Sequence, residues 1–156
     1  MKIMNKFQKK LANRKKDNKG FSLVELIIVI AIMAILVGIV GTQVLPYLNK
    51  SKEAKDVQIV NSYSTAAVSA YSMLAGELTT ETGTLTVNVY GSNTDADAVK
   101  LATKIKDLVG YTSASDKMTS KTGKTASEIT IKYDFGSHKI ETEATGTTLD
   151  KVSASF

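Results

Sequence analysis

The sequence contains no cysteine, no tryptophan, one proline and one histidine among its 156 residues. Without cysteine there is no disulfide framework, no thiolate zinc site and no cysteine nucleophile. A single histidine also excludes a metal site built on several imidazoles. These absences remove the residue sets on which most hydrolases and metalloenzymes depend. We therefore predict a protein that is not an enzyme and that holds no cofactor and no metal.

Positive charge is concentrated at one end of the chain. The formal net charge is +5, but residues 1–20 alone carry eight basic side chains and one acid, a net of +7. Residues 21–156 are mildly acidic, with a net charge of −2. A nucleic-acid-binding domain needs its lysines and arginines on the folded part, where they can contact phosphates. The charge distribution therefore indicates no direct nucleic-acid site.

An apolar run follows the basic segment. Residues 26–41 contain no polar side chain, and Glu25 is the only charge within residues 21–45. About 20 helical residues suffice to cross the hydrocarbon core of a bilayer, so we predict a transmembrane helix over 21–45. The positive-inside rule then places residues 1–20 in the cytoplasm and the C-terminal part outside.

This segment has two simpler interpretations. A secretory signal peptide fits less well, because the apolar run exceeds the usual length of about 7–15 residues and no small-x-small cleavage pattern follows it. A plain membrane anchor explains the length and the charge asymmetry, but it does not explain Glu25. A carboxylate just inside the hydrocarbon edge costs about 2–3 kcal/mol unless it snorkels to the interface, and such a group marks a functional site by default.

The residues around this acid resemble the processing site of type IV prepilins. The resemblance covers residues 14–48 and combines a basic leader, a glycine before the cleaved bond, a phenylalanine after it, an acid at the fifth mature position and a long apolar helix. The motif reads Lys19-Gly20-Phe21-Ser22-Leu23-Val24-Glu25. The resemblance implies that a membrane-embedded aspartic peptidase cleaves the Gly20–Phe21 bond on the cytoplasmic side and N-methylates Phe21.

The resemblance also implies a role for Glu25 in assembly. In pili of this family, as the resemblance implies, the acid at the fifth mature position neutralises the terminal amine of a neighbouring subunit, inside a bundle of apolar helices. A carboxylate and an ammonium that are desolvated together attract far more strongly than in water, and either one alone is costly. Glu25 is therefore expected to set the register in which subunits dock.

The expected function is that of a structural subunit, the major pilin of a type IV pilus, with roles in adhesion, surface motility or biofilm. Expected partners are other pilin subunits, the prepilin peptidase, the assembly machinery, the cytoplasmic membrane and host or abiotic surfaces. The expected location is the cytoplasmic membrane before assembly and a cell-surface pilus afterwards. Three alternatives stay open: a pseudopilin of a secretion or DNA-uptake system, a minor pilin, and a single-pass membrane-anchored binding protein.

The lack of cysteine also bears on the branch of the family. Gram-negative members usually close a C-terminal loop with a disulfide, which this chain cannot form. In this respect it resembles the clostridial, Gram-positive branch.

A long helix is predicted for residues 21–76, apolar to residue 45 and amphipathic from residue 46, with Asp56 on its polar face. Gly38, Gly41 and Pro46 weaken it within nine positions, by about 1 kcal/mol for each glycine and about 3 kcal/mol for the proline. One interpretation is that close packing between helices tolerates these residues. The resemblance favours another, in which they allow this stretch to extend when the subunit enters a filament.

Residues 77–156 are predicted to form a globular, β-rich head, which gives an α+β fold with a small antiparallel sheet on the amphipathic part of the helix. Alternating residues predict strands at 84–90, 128–135 and 138–144. A turn at Gly136-Ser137 places three residue pairs opposite each other: Asp134 with Lys139, Tyr133 with Ile140 and Lys132 with Glu141. A short helix is predicted for 95–109, with its apolar stripe at Val99, Ala102, Ile105 and Leu108.

The head contains no complete ligand motif. Gly123-Lys124-Thr125 lacks the first glycine of a P-loop, and Asn93, Asp95 and Asp97 lack the glycine and glutamate of an EF-hand. His138 is predicted to be a surface turn residue. Polar loops at 91–97 and 112–127 are predicted to be exposed and to contact subunits or surfaces, and residues 152–156 to be either docked against the sheet or frayed.

Overall fold

The computed structural model describes residues 20–156, so the predicted leader, except for Gly20, lies outside the described residues. The chain divides into an N-terminal unit that ends at Val44 and a C-terminal unit, Leu45–Phe156. The elements are α1 (Leu23–Ile39), a π-helical turn (Val40–Val44), α2 (Leu45–Leu74), β1 (Thr84–Asn88), α3 (Ala96–Val109), a 3₁₀ turn (Gly123–Thr125), β2 (Glu128–Asp134), β3 (Lys139–Thr145) and β4 (Val152–Ser155).

The bounds of the long helix differ slightly from those predicted. Helical residues run from Leu23 to Leu74, two residues shorter at each end than the predicted range of 21–76. At the N-terminal end, Ser22 adopts an extended conformation and caps the helix. The interruption at Val40–Val44 is a wider π-helical turn, which the sequence pattern did not predict.

The four strands form one antiparallel sheet in the order β1-β2-β3-β4. The predicted register of the hairpin between β2 and β3 is confirmed, with Asp134 opposite Lys139 and Tyr133 opposite Ile140. Because side chains alternate between the two faces of a strand, this register puts Tyr133 and Ile140 on the buried face and the charged residues on the outer face. The predicted α+β fold with a small antiparallel sheet is confirmed.

Helix α2 packs against the inner face of the sheet. Its buried alanines, such as Ala67 and Ala70, have small side chains that allow the helix backbone to approach the strands closely. The Tyr133 hydroxyl of β2 donates a hydrogen bond to the backbone carbonyl of Ala67, with an O···O distance of 2.9 Å. The core therefore lies between α2 and the strands, where Val60, Tyr63 and Tyr133 are fully buried.

Helix α3 covers another side of the core, but its predicted apolar stripe is partly wrong. Ala102 and Ile105 are buried as predicted, whereas Val99 and Leu108 are 48% and 41% exposed. A spacing of three residues drifts around the helix, so a run of four such positions cannot stay on one face. The buried face follows the spacing of three and four instead, at Ala98, Leu101, Ala102 and Ile105.

Two predictions about polar residues are also wrong. Asp56 is fully buried instead of lying on the solvent-exposed face of the helix. The loop 112–127 covers it, and several residues of this loop that were expected to be exposed are buried in turn. They are Ala114, Met118, Ser120, Gly123 and Ala126.

The end of the chain is docked and not frayed. Strand β4 pairs with β3, and the Phe156 N–H donates a hydrogen bond of 3.1 Å to the carbonyl of His138. The Phe156 ring packs edge-on against Tyr71 and Tyr133, at centroid distances of 4.4 and 5.6 Å. His138 is exposed in the turn between β2 and β3, as predicted for a surface residue.

Candidate processing and assembly site

The predicted cleavage site lies directly before the first helix. Gly20 and Phe21 have no regular secondary structure, and the Phe21 side chain is 87% exposed. A Cβ atom built on Gly20 would meet no atom within 4 Å. Within residues 20–156, no steric contact therefore requires glycine at this position.

Two side chains cap the first turn of α1 reciprocally. The Ser22 hydroxyl accepts a hydrogen bond of 3.3 Å from the Val24 N–H, and Glu25 Oε2 accepts one of 2.8 Å from the Ser22 N–H. This arrangement is a capping box, which satisfies backbone donors that no helical carbonyl can reach. It fixes the start of the helix two residues after the Gly20–Phe21 bond.

The capping role of Ser22 was missed in the sequence, although a signal was present. Serine followed three residues later by glutamate, immediately before an apolar run, is the pattern of a capping box. The resemblance indicates that Glu25 is an acid inside the membrane, but it does not indicate its hydrogen-bond partners. The structure shows that this carboxylate already has a partner within its own chain.

The capping box leaves part of the Glu25 carboxylate available. A carboxylate has two oxygens and about four acceptor positions. Within residues 20–156, Oε1 of Glu25 accepts no hydrogen bond and the residue forms no ion pair, since only Oε2 is used by Ser22. The carboxylate also lies in the first helical turn, where the partial positive charge of the helix end favours an anion. Glu25 can therefore hold its cap and accept one more donor.

Helix α1 exposes apolar side chains on every side. None of its residues is buried, and its large side chains, from Leu23 to Ile39, are 48–73% exposed. A helix that is apolar all round needs lipid or other helices to cover it. Within the described part of the chain, one helical stretch, Leu23–Leu74, contains a segment long and apolar enough to cross a membrane.

The π-helical turn lies among the three residues predicted to weaken the helix. Gly41 is inside it, Gly38 precedes it, and Pro46 follows it in the sequence. The Thr42 hydroxyl donates to the carbonyl of Gly38 at 3.0 Å, which satisfies a group near the irregular turn. Side chains of this kind commonly satisfy backbone groups freed by irregular turns in apolar helices.

The acids that imitate an EF-hand have structural roles. Asp95 caps α3 by accepting hydrogen bonds from the N–H groups of Asp97 and Ala98. Asp97 is buried, and its Oδ2 accepts four hydrogen bonds from the N–H and hydroxyl groups of Thr79 and Thr80. Burial raises the pKa of Asp97, but these hydrogen bonds outweigh it and hold the pKa well below its usual value. Within residues 20–156 no cluster of three potential metal ligands occurs.

Residues 15–41 match the pattern described as the prokaryotic N-terminal methylation motif. The matched range includes the Gly20–Phe21 bond, the capping box and all of α1, while its first five residues lie outside those that the structure describes. No curated protein and no solved structure matches the chain. The match therefore bears on the N-terminal segment, and the head is interpreted from its structure alone.

Proposed function

We propose that this chain, which carries the N-terminal signature of a type IV prepilin of the pilin or pseudopilin kind, is the major pilin of a type IV pilus. One observation carries the proposal most directly. An exposed Gly20–Phe21 bond without regular secondary structure is followed closely by a capped helix whose apolar surface needs neighbouring molecules to cover it.

Processing separates two parts of opposite charge. Hydrolysis of the Gly20–Phe21 bond leaves a carboxylate on Gly20 and an amine on Phe21, which becomes N-methylated. It also removes the segment with a net charge of +7 and leaves a mature chain whose side chains sum to −2. Cleavage thus removes the lysines that favour keeping the N-terminal end on the cytoplasmic side of the membrane. The free energy needed to move the mature helix from the bilayer into a filament is then lower.

Glu25 supports docking in the proposed filament. Its Oε1 is available to accept from the methylated amine of Phe21 in a neighbouring subunit, while Oε2 keeps the Ser22 N–H. Among apolar helices both charged groups would lose their hydrating water, and the free-energy cost is offset only if the two groups pair. A subunit that docks one turn out of register would leave both charges unpaired. Glu25 therefore acts through the specificity of docking.

The helix is proposed to extend near Gly38, Gly41 and Pro46 when subunits pack into the filament. The π-helical turn supports this, because the altered backbone hydrogen bonds of such a turn break more easily than those of a regular α-helix. The mature protein is proposed to sit in the cytoplasmic membrane with its head outside, and then in a surface pilus that serves adhesion, motility or biofilm. The prepilin peptidase, the assembly machinery and the bound surfaces are the proposed partners.

A pseudopilin or a minor pilin is the second candidate, because the methylation motif serves these proteins equally. The compact head and the acid at position 25 favour the main building block. The abundance of the protein on the cell surface separates the candidates, since a major pilin outnumbers every other subunit in the filament.

The proposal is tested by the intact mass and N-terminal sequence of the protein sheared from the surface of its native cells. A chain that begins at N-methylated Phe21, in a filamentous fraction where it is the main protein, is expected. A chain that begins at Met1 and stays in the membrane would overturn the proposal in favour of a plain anchor.

A further inference from the structure

Five exposed lysines surround the first turns of α2. Lys50, Lys52 and Lys55 belong to the helix, while Lys121 and Lys124 belong to the loop that folds against it. We call these five residues the basic cluster. Throughout residues 20–156, none of the five forms an ion pair with an acid.

Two acids of the same helical turns, Asp56 and Glu53, hold the loop against the helix. Asp56 is buried and accepts hydrogen bonds from Ser120, and Glu53 Oε1 accepts one of 2.8 Å from the Thr122 hydroxyl. Lys121 lies between these two bonded loop residues and Lys124 follows them, so both are held beside the helix. The same contacts that bring these lysines in supply both carboxylates with neutral hydrogen-bond donors, and within residues 20–156 neither acid forms an ion pair with a lysine of the cluster.

The basic cluster contrasts with the rest of the C-terminal unit. Residues 45–156 contain 12 lysines and 13 acidic residues. Apart from the five lysines of the cluster and the three acids beside them, Glu53, Asp56 and Asp150, 7 lysines and 10 acids remain, a net charge of −3. One exposed acid, Asp150, lines a shallow groove together with Lys50 and Glu53. Glu53, Asp56 and Asp150 stand beside the five lysines, so this region carries a formal net charge of +2.

Exposed apolar residues lie immediately before the cluster on the same helix. Leu45, Tyr47 and Leu48 are 55%, 78% and 50% exposed. Tyrosine is typical of the boundary between hydrocarbon and headgroups, because its ring is apolar and its hydroxyl is polar. Along α2 the exposed apolar and aromatic residues therefore come first and the basic residues follow, which is the order of layers that a chain meets when it leaves a bilayer.

The distances along the helix agree with this order. At about 1.5 Å per residue, Lys50 lies about 7.5 Å beyond Leu45 and Lys55 about 15 Å beyond it. The headgroup layer extends about 5–8 Å beyond the hydrocarbon on each side. Lysine side chains can reach back along the helix toward that layer. If the hydrocarbon ends near Leu45, the helical lysines of the cluster can contact headgroup phosphates.

We propose that the basic cluster binds the anionic headgroups of phospholipids in the outer leaflet and holds the C-terminal unit at the membrane before assembly. This inference rests on the membrane orientation in the proposed function. A subunit held in this way keeps its head at a fixed height, so that the assembly machinery meets it in one position. Entry into a filament then requires the lysines to release the phosphates.

The test measures how fast each lysine of the full-length wild-type protein reacts with a water-soluble acylating reagent in lipid nanodiscs. One nanodisc contains phosphatidylcholine alone and the other contains phosphatidylglycerol as well. A negative surface potential of about 30 mV keeps nearby amines protonated and slows their acylation about threefold. We expect this slowing at Lys50, Lys52 and Lys55, and its loss at high salt. Lys132 and Lys139, exposed on the outer face of the sheet, should react equally in both nanodiscs.

The lysines of residues 1–20 separate failure of this inference from failure of the proposed function. If phosphatidylglycerol slows the acylation of these lysines but not of the basic cluster, the membrane anchor is supported and lipid binding by the basic cluster is overturned. If the chain does not enter nanodiscs at all, the proposed membrane orientation fails first. Binding to the membrane would also be overturned if phosphatidylglycerol had no effect on the lysines of the basic cluster, while free glycerol phosphate, DNA or assembly into filaments slowed their acylation.

A charge-matched pair of variants gives an independent readout. Replacement of Lys50, Lys52 and Lys55 by glutamine should reduce, by at least half, the number of phosphatidylglycerol molecules that native mass spectrometry finds on the protein. The control replaces Lys104, Lys132 and Lys139 by glutamine and removes the same charge elsewhere. Equal loss of bound lipid in the two variants would reduce the site to a general effect of net charge and overturn the proposal.

Discussion

Asp56 accepts hydrogen bonds from both the backbone N–H and the hydroxyl of Ser120, which lies 64 positions later in the chain. Its other carboxylate oxygen accepts the N–H of Thr119 at 2.8 Å. A Cβ atom on Gly123 would collide with the same carboxylate, so a residue without a side chain is needed there. One acid on α2 thus fixes the position of the loop 112–127.

Replacement of Asp56 by alanine should destabilise the C-terminal unit. The variant would leave buried N–H and hydroxyl groups of Thr119 and Ser120 without an acceptor, which costs on the order of 3 kcal/mol of unfolding free energy. The measurement is urea unfolding of a soluble fragment that spans residues 45–156. Asp150→Ala, at an exposed position, is the control and should change little. Equal stability of the two variants would show that Asp56 does not anchor the loop.

Stability should fall in acid. The hydrogen bonds of Ser120 and Thr119 outweigh burial, which by itself would raise the pKa, and hold the pKa of Asp56 below its usual value; Asp97 behaves likewise. The unfolded chain, with an aspartate pKa of about 3.9, therefore takes up protons before the folded chain does. Stability from these acids is complete above about pH 5 and is lost progressively as the pH falls toward the folded-state pKa values.

The check compares unfolding free energies of the fragment 45–156 between about pH 6 and about pH 3, for wild type and for Asp56→Asn. The variant should start less stable and show a shallower decrease, because one of the two acids no longer titrates. Parallel pH profiles would mean that other groups cause the acid sensitivity.

Two replacements of Glu25 separate its roles. Glutamine can still complete a capping box with Ser22 but cannot neutralise an amine, whereas valine removes both functions. We expect both Glu25→Gln and Glu25→Val to be cleaved at Gly20–Phe21 largely as in wild type, with a severalfold lower yield of pili. The measurement is the mass of the protein in sheared and membrane fractions. Wild-type yield of pili from Glu25→Gln would show that the charge is not needed for docking.

Replacement of Phe156 by alanine should loosen the last strand. Its half-buried ring contacts Tyr71 and Tyr133, so its removal should lower the unfolding free energy by about 1–2 kcal/mol. Amide hydrogen exchange should then speed up in residues 152–156 and much less in β2. As a control, Ser155→Ala alters a neighbouring side chain that is exposed. If both variants exchange at the wild-type rate, the ring does not hold the strand.

The strand register could be predicted because its signals are local. Alternation along β2 and β3 and a short turn determine which residues face each other, and Tyr133 and Ile140 lie opposite as expected. The start of α3 at Ala96 and its end before Gly110 follow from a capping aspartate and from a glycine with a left-handed backbone, φ 68°.

The burial of Asp56 could not be predicted, because it depends on a loop more than 60 residues away. A helical pattern shows that a position is polar but not whether another segment covers it. The site divided in the same way. The cleavage after Gly20 and the docking role of Glu25 come from the motif and stay predictions. The capping box follows from the spacing of Ser22 and Glu25 once backbone donors are considered, whereas the basic cluster depends on a distant loop that the pattern does not place.

The anchors formed by Asp56 and Asp97 have a consequence for the surroundings in which the head can fold. Both tie distant segments together by hydrogen bonds alone, in a chain that has no thiol to oxidise. The head therefore needs no oxidase or disulfide isomerase in order to fold. Reducing agents should leave its fold unchanged, so it suits an anaerobic environment as well as an aerated one.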